Sequence, residues 1–302
     1  MISAFVSAAR LRTLPLALAS IALGSVLSAY FDQHSWSVTV LALTTAILLQ
    51  ILSNFANDYG DFAKGTDTEE RTDRALASGK LSLNQMKTAL IVTSVLALVS
   101  GLGLLWTAFG SLSFSFITLL LVGLLSIGAA IKYTAGKNPY GYKTLGDFAV
   151  LIFFGWVAVL GMYYLHNQRI DSDFWLCLLP ATSIGLLASG VLNVNNIRDI
   201  HGDTANGKFT LAVKMGKHQA EVYQLLLYLV SLAGLIVFLL KTSESPLHSL
   251  FLGLFIIPYL LHWNALRSLE NTLENRPAYN RLLKLHVLLN MALVLALSFI
   301  LL

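Results

Sequence analysis

Nine apolar runs, each long enough to cross a bilayer, constrain this chain more than any other feature. A helix needs about 20 mostly apolar residues to span the hydrocarbon core. Such runs fall at 14–31, 36–57, 84–106, 112–131, 145–165, 174–196, 221–240, 247–266 and 282–302. Hydrophobic residues make up 56% of the 302 and charged residues 12%, against about 25% charged in ordinary soluble chains. A soluble fold of this length has no interior large enough for that much apolar surface. Disorder is excluded as well, because disordered chains are polar and charged. The expectation is an all-α membrane protein with nine transmembrane helices. The first run follows Arg10 and Arg12, as a secretory signal would. It is too long for a signal's apolar region and shows no clear cleavage site, so it reads as a retained helix. The single cysteine, Cys177, lies within an apolar run and reads as a small buried hydrophobe.

Charge gives the expected orientation. With the N-terminus in the cytoplasm, all but Arg169 and Lys241 of the 20 lysines and arginines fall on the cytoplasmic side, as the positive-inside rule requires. There is no basic stripe with interleaved aromatics, so no nucleic acid partner is expected. The cytoplasmic connections after the second and sixth spans are long and acidic. Function is expected on that face.

The second span closes on Asn54, Asn57, Asp58 and Asp61, spaced i, i+3, i+4 and i+7 on one helix face. The sixth closes on Asn195, Asn196, Asp199 and Asp203, again on one face. A shift of 142 residues lays Asn54 on Asn196, Asn57 on Asp199, Asp61 on Asp203 and Gly65 on Gly207. This suggests two four-helix units in a single domain, a pseudo-repeat of 1–143 and 144–268, with an extra helix at 282–302. Charge inside a spanning helix is costly, and carboxylates gathered on one face repel one another unless a cation joins them. Hard oxygen ligands suit Mg²⁺, which commonly binds one or two carboxylates together with substrate phosphates. Two such faces would hold two Mg²⁺ and a diphosphate, with nearby Arg and Lys neutralising phosphate oxygens. His201 between the acids reads as a solvated residue, and Glu69, Glu70 and Asp73 as surface charges.

These motifs resemble the UbiA superfamily of intramembrane aromatic prenyltransferases. The family's NDxxDxxxD motif reads here as Asn57-Asp58-Tyr59-Gly60-Asp61, with Gly65 in place of the last acid and Asp67 two residues later. Its DxxxD motif reads Asp199-Ile200-His201-Gly202-Asp203. The glycine form, the loop from Tyr133 through Tyr140 and Tyr142 to Gly146-Asp147, and Asn206-Gly207-Lys208 are similar to the branch that prenylates 1,4-dihydroxy-2-naphthoate in menaquinone synthesis. The resemblance implies a nine-helix bundle around a central cavity with a lateral opening to lipid. It implies Mg²⁺ as cofactor, a polyprenyl diphosphate donor, and a place in a bacterial-type inner membrane with the active site facing the cytoplasm. Its expected metal ligands are Asn57, Asp61, Asp67, Asp199 and Asp203, with Asp58, Asp61, Asp199 and Asp203 as the catalytic acids. Arg12, Arg74, Arg198 and Lys208 are the expected diphosphate-binding residues. Lys132, Tyr133, Lys137 and Tyr142 are candidates for the acceptor. Tyr59, Tyr133, Tyr140, Tyr142, Phe153, Phe154 and Trp156 are candidates to line a cation-like allylic carbon. The reaction implied is prenyl transfer with loss of diphosphate and CO₂, giving demethylmenaquinone. Two alternatives stay open at this point: another acceptor such as 4-hydroxybenzoate, and a cation-coupled transporter.

Overall fold

The structure, a computed structural model, describes residues 2–65 and 74–302. Among the described residues nine helices are long and apolar enough to cross a membrane. We number them α1 Leu14–Phe31, α2 Trp36–Ala63, α3 Leu83–Phe109, α4 Phe114–Lys132, α5 Gly146–Asn167, α6 Ser172–Ala205, α7 Lys217–Thr242, α8 Pro246–Ser268 and α9 Arg276–Leu301. All nine expected spans are present. Asp67, Glu69, Glu70 and Asp73 lie outside the described residues.

The differences from the apolar runs fall at polar helix ends, which hydropathy does not detect. α2 runs six residues past the expected end and α6 nine, so both acidic motifs lie inside continuous helices. α2 has 28 residues and α6 has 34, or about 42 Å and 51 Å at 1.5 Å per residue. The hydrocarbon core is about 30 Å thick, so the acidic turns project from the apolar slab, where charge is cheaper. α9 starts at Arg276 instead of residue 282, with Pro277 in its first turn, where a proline's missing N–H and fixed φ fit. A short helix, Ile2–Ala9, precedes α1. It breaks at Arg10, which takes a left-handed conformation (φ 49, ψ 58) before the chain turns into α1.

α1 and α6 hold the centre. Leu23 and Leu27 of α1 meet Val159 and Tyr163 of α5, Ile184 and Leu187 of α6, Tyr228 of α7 and Leu293 of α9 in one buried cluster. α5 and α6 cross at two glycines. A Cβ on Gly155 would lie 2.5 Å from the Ala181 carbonyl oxygen, and one on Gly185 would lie 3.0 Å from the Gly155 Cα. Around this crossing α5 is π-helical over Leu151–Leu160, a wider winding than the α-helix and one often found near functional sites. It turns Phe153, Phe154 and Trp156 toward a central cavity of about 840 Å³. The cavity runs from Arg10, Arg12 and Asn57 at the acidic end to Phe114, Ile170 and Phe174 at the far end.

Candidate active site

The first carboxylate face closes α2. Asp58 and Asp61 are 2% and 6% exposed. Burying two carboxylates a turn apart is unfavourable unless each has partners. Arg10 and Arg74 both donate to Asp58 Oδ1. The break at Arg10 has a local cause. Asn54 Nδ2 donates to the Ala9 carbonyl at 2.8 Å and to Thr13 Oγ1 at 3.1 Å, tying the turn to α2. Asp61 Oδ1 accepts the Tyr142 hydroxyl at 2.8 Å, and Arg74 Nη2 lies 3.9 Å from its Oδ2. Thr134 donates to the Ala56 carbonyl at 2.8 Å and to Asn57 Oδ1 at 3.1 Å. Gly60 permits this docking, because a Cβ there would lie 2.6 Å from the Thr134 carbonyl carbon and oxygen.

The second face closes α6. Asp199 accepts from Arg198 Nε at 3.1 Å and Nη2 at 2.5 Å, and from Arg276 Nη2 at 3.0 Å. Arg198 also donates to Asn280 Oδ1 at 2.7 Å and Asn195 Oδ1 at 2.8 Å. Asp203 pairs with Lys208 Nζ at 3.5 Å through Oδ1. Its Oδ2 is buried and has no hydrogen-bond partner among the described residues.

Tyr142 joins the two faces. Besides its bond to Asp61, its carbonyl accepts the Phe209 N–H at 3.2 Å, and its ring carries Lys64 Nζ at 4.3 Å and Lys208 Nζ at 5.5 Å. Partial desolvation lowers the Lys64 ammonium from its ordinary value, and nearby Lys132 adds to the shift, while Asp61 opposes it. Tyr133 borders the cavity beside Tyr140, their rings 5.3 Å apart and edge to face. Burial pushes the Tyr133 phenol well above its ordinary value, and the charges of Asp147, Asp61 and Asp203 reinforce the shift. Tyr140 is pushed up to about 12 by burial alone.

The structure brings most of the expected residues together. Asp58, Arg74, Asp61, Tyr142, Lys208 and Asp203 form one chain of polar contacts, Arg198 and Asp199 pair with each other and with Arg276 and Asn280, and Asn57 accepts from Thr134. Arg12 is exposed where it lines the cavity's acidic end. Phe153, Phe154 and Trp156 line the cavity wall. Lys132 and Lys137 are exposed on the loop side, and Lys143 likewise. His201 is exposed on α6. Sequence reasoning missed Arg10, Lys64, Thr134, Arg276 and Asn280. The signal for the last two was present: Arg276, Asn280 and Lys284 recur every four residues, one polar stripe on the first turns of α9. Asn280 and Lys284 line the cavity.

The donor set fits a hard divalent cation. Its donor atoms are carboxylate and amide oxygens, and the buried Asp203 Oδ2 has no hydrogen-bond partner among the described residues. Among the described residues no three acidic, histidine or cysteine side chains form a closed cage. An Mg²⁺ ion there would complete its shell with other oxygens, as Mg²⁺ sites on phosphates commonly do.

Fold and site define a helical integral membrane protein with an acid- and arginine-lined chamber at the polar end of an apolar cavity. The chain belongs to the UbiA prenyltransferase family, whose profile matches residues 17–288. A 1,4-dihydroxy-2-naphthoate octaprenyltransferase of Escherichia coli (strain K12) is 42% identical over 97% of this chain and 94% of its own. One of Haemophilus influenzae is 47% identical over 80% of this chain and 79% of its own. The apo structure of a UbiA homolog from Aeropyrum pernix K1 superposes with a TM-score of 0.69 at 17% identity, covering 96% of this chain and 97% of that one. A UbiA homolog from Archaeoglobus fulgidus bound to GPP and Mg²⁺ superposes with 0.57 at 16% identity, covering 94% and 98%.

Proposed function

We propose that this protein transfers a polyprenyl group from polyprenyl diphosphate to 1,4-dihydroxy-2-naphthoate. One observation carries the reaction class: two carboxylate faces joined through Tyr142 at the polar end of an apolar cavity of about 840 Å³. The acceptor's identity is supported by the relatives' names and by the likeness over nearly the whole chain.

Asn57, Asp61, Asp199 and Asp203 would hold Mg²⁺, with Asp67 and Asp58 in support. Bound there, Mg²⁺ supplies positive charge that stabilises diphosphate as a leaving group. Arg12, Arg74, Arg198 and Lys208 face the phosphate oxygens. The allylic C–O bond breaks and its electron pair leaves with diphosphate. The electron-rich ring forms the new C–C bond at its carboxyl-bearing carbon. Loss of the carboxylate as CO₂ returns an electron pair to the ring, so no separate base has to remove a ring proton. The product is demethylmenaquinone in its quinol form. Phe153, Phe154 and Trp156 keep water from the cation-like carbon and turn ring faces to it. Tyr133 keeps its proton and donates a hydrogen bond to the acceptor. The positive-inside distribution sets the polar end at the cytoplasmic face of a bacterial inner membrane, where a soluble acceptor arrives.

The test is reconstituted protein with Mg²⁺, octaprenyl diphosphate and either naphthoate or 4-hydroxybenzoate, read by product mass. Prenylated naphthoquinone that disappears with EDTA is the expected result. Product with hydroxybenzoate alone would overturn the acceptor.

A further inference from the structure

Away from the cavity, α6, α7, α8 and α9 meet around a knot of polar side chains that the proposed reaction does not use. α9 enters it at three levels. The Leu282 carbonyl accepts His262 Nε2 of α8 at 3.0 Å, which leaves His262 Nδ1 to accept the Tyr228 hydroxyl of α7 at 2.9 Å. His286 Nδ1 lies 3.5 Å from the same hydroxyl. Asn290 Oδ1 accepts the Tyr259 hydroxyl of α8 at 2.9 Å, and its Nδ2 donates to the Leu187 carbonyl of α6 at 3.3 Å. Beside them Asn193 of α6 donates to Gln224 Oε1 of α7 at 2.9 Å. Each of these polar side chains is at most 1% exposed. α6 admits them through Gly190, where a Cβ would lie 2.7 Å from Gln224 Nε2 and 2.8 Å from His286 Cε1.

Stability alone does not account for the knot. Asn193 Oδ1, Gln224 Nε2 and His286 Nε2 are buried and have no hydrogen-bond partner among the described residues. An orphaned buried polar atom costs the fold stability, and apolar side chains of the same volume would pack there without that cost. What polar contacts add is direction. Deeper along α9 the packing is apolar, through Leu293, Val294 and Leu297, and apolar contact is non-directional. Such a seam alone fixes the register of α9 weakly. The bonds at Leu282, His286 and Asn290 each name a partner, as a single polar residue does in the seam of a coiled coil.

Register matters at the other end of the same helix. Arg276 donates to Asp199 at 3.0 Å, and Asn280 accepts from Arg198 at 2.7 Å. His286 follows Arg276 by 10 residues, about 15 Å at 1.5 Å per residue. Arg276 and Asn280 share one face of α9, and His286 and Asn290 share a neighbouring one. A slip of one turn moves a helix by about 5.4 Å, more than the length of either bond. We propose that the knot sets the register of α9 and so holds Arg276 and Asn280 against the second carboxylate face. His286 and Asn290 are then positioning residues for the diphosphate site. Their effect on turnover rests on the proposed reaction, and their effect on register does not.

His201→Cys on α6 and Arg281→Cys on α9 replace exposed side chains and carry spin labels, in protein with Cys177→Ala. Pulsed EPR between them reads the register without substrate. One narrow distance distribution is expected with the knot intact, and His286→Leu and Asn290→Leu are expected to broaden or shift it. In unlabelled protein both variants are expected to lower kcat/KM for octaprenyl diphosphate by at least about 10-fold. On an Arg276→Gln background, His286→Leu is expected to remove little further activity, because both act on one contact. Tyr228→Phe deletes only a hydroxyl, so it carries the same test if a leucine variant does not insert. A narrow, unshifted distribution in all three variants would overturn the proposal, as would losses that add to that of Arg276→Gln. A melting temperature that falls while distance and kcat/KM hold would make the knot ordinary packing and overturn it too. A shifted distribution in protein that prenylates no naphthoate would keep the register role and sink the proposed acceptor.

Discussion

At the end of α2, Asp58 is clamped by Arg10 and Arg74 while Asp61 accepts the Tyr142 hydroxyl. At the end of α6, Asp199 is clamped by Arg198 and Arg276 while Asp203 keeps one buried oxygen unpartnered. Each face thus holds one carboxylate between two guanidiniums and a second with different partners, Tyr142 for Asp61 and Lys208 for Asp203. The clamped acids do not correspond in sequence register, since the 142-residue shift lays Asp199 on Asn57 and not on Asp58. The equivalence is electrostatic, and its arginines come from four different stretches of chain. In the proposed reaction, Asp61 and Asp203 are the acids that hold the cation, with Asp203 offering its unpartnered buried oxygen, and Asp58 is the one most committed to holding the chamber together.

The sharpest way to break this comparison is to neutralise the two acids proposed to hold the cation. Asp61→Asn and Asp203→Asn are each expected to lower turnover by about 100- to 1,000-fold or more, with protein still inserted and monodisperse in detergent. Near-normal turnover in either would remove that face from the site. Asp58→Asn is expected to act first on stability. It strands two arginines, 19% and 12% exposed, and breaking a buried pair costs about 3–5 kcal/mol. Its melting temperature should fall further than that of Asp203→Asn, and the reverse order would dissolve the distinction between clamped and cation-holding acids.

A smaller effect belongs to the connector. Tyr142→Phe keeps the ring beneath Lys64 and Lys208 but deletes the bond to Asp61. About a 10-fold loss in kcat/KM is expected, from one hydrogen bond to a charged group. Tyr133→Phe is expected to have the smallest effect, and its sign is set by proton linkage. Burial and the nearby acids raise the Tyr133 phenol above its ordinary value, so it remains protonated as pH rises through the ordinary phenol range. The alkaline limb of the pH–rate profile should therefore stay in place when Tyr133→Phe lowers the rate. A limb that moves in the variant would show that Tyr133 titrates in the working range.

Much of the fold was legible because bilayer thickness fixes helix length. The acid faces were legible because helical spacing puts Asn57 and Asp61, and Asp199 and Asp203, on shared faces. What escaped was set by tertiary contact. Arg10 looked like a topology signal and is a clamp, because Asn54 ties the preceding turn to α2. The first turns of α9 are polar, so a hydropathy window begins too late and leaves out Arg276 and Asn280. Tyr142 was legible as an acceptor candidate but not as the link between the two faces, because its loop has no periodicity and docks through tertiary contacts such as Thr134 against Gly60.

The most direct test of the central claim is binding of geranyl diphosphate to the purified protein, titrated with Mg²⁺, for wild type, Asp61→Asn, Asp203→Asn and the double variant. If the two faces hold one diphosphate as a unit, wild-type binding requires Mg²⁺. Each single variant then loses most of the affinity, and the double variant loses little more. Binding that survives without Mg²⁺, or losses that add as independent sites would, would contradict a shared site.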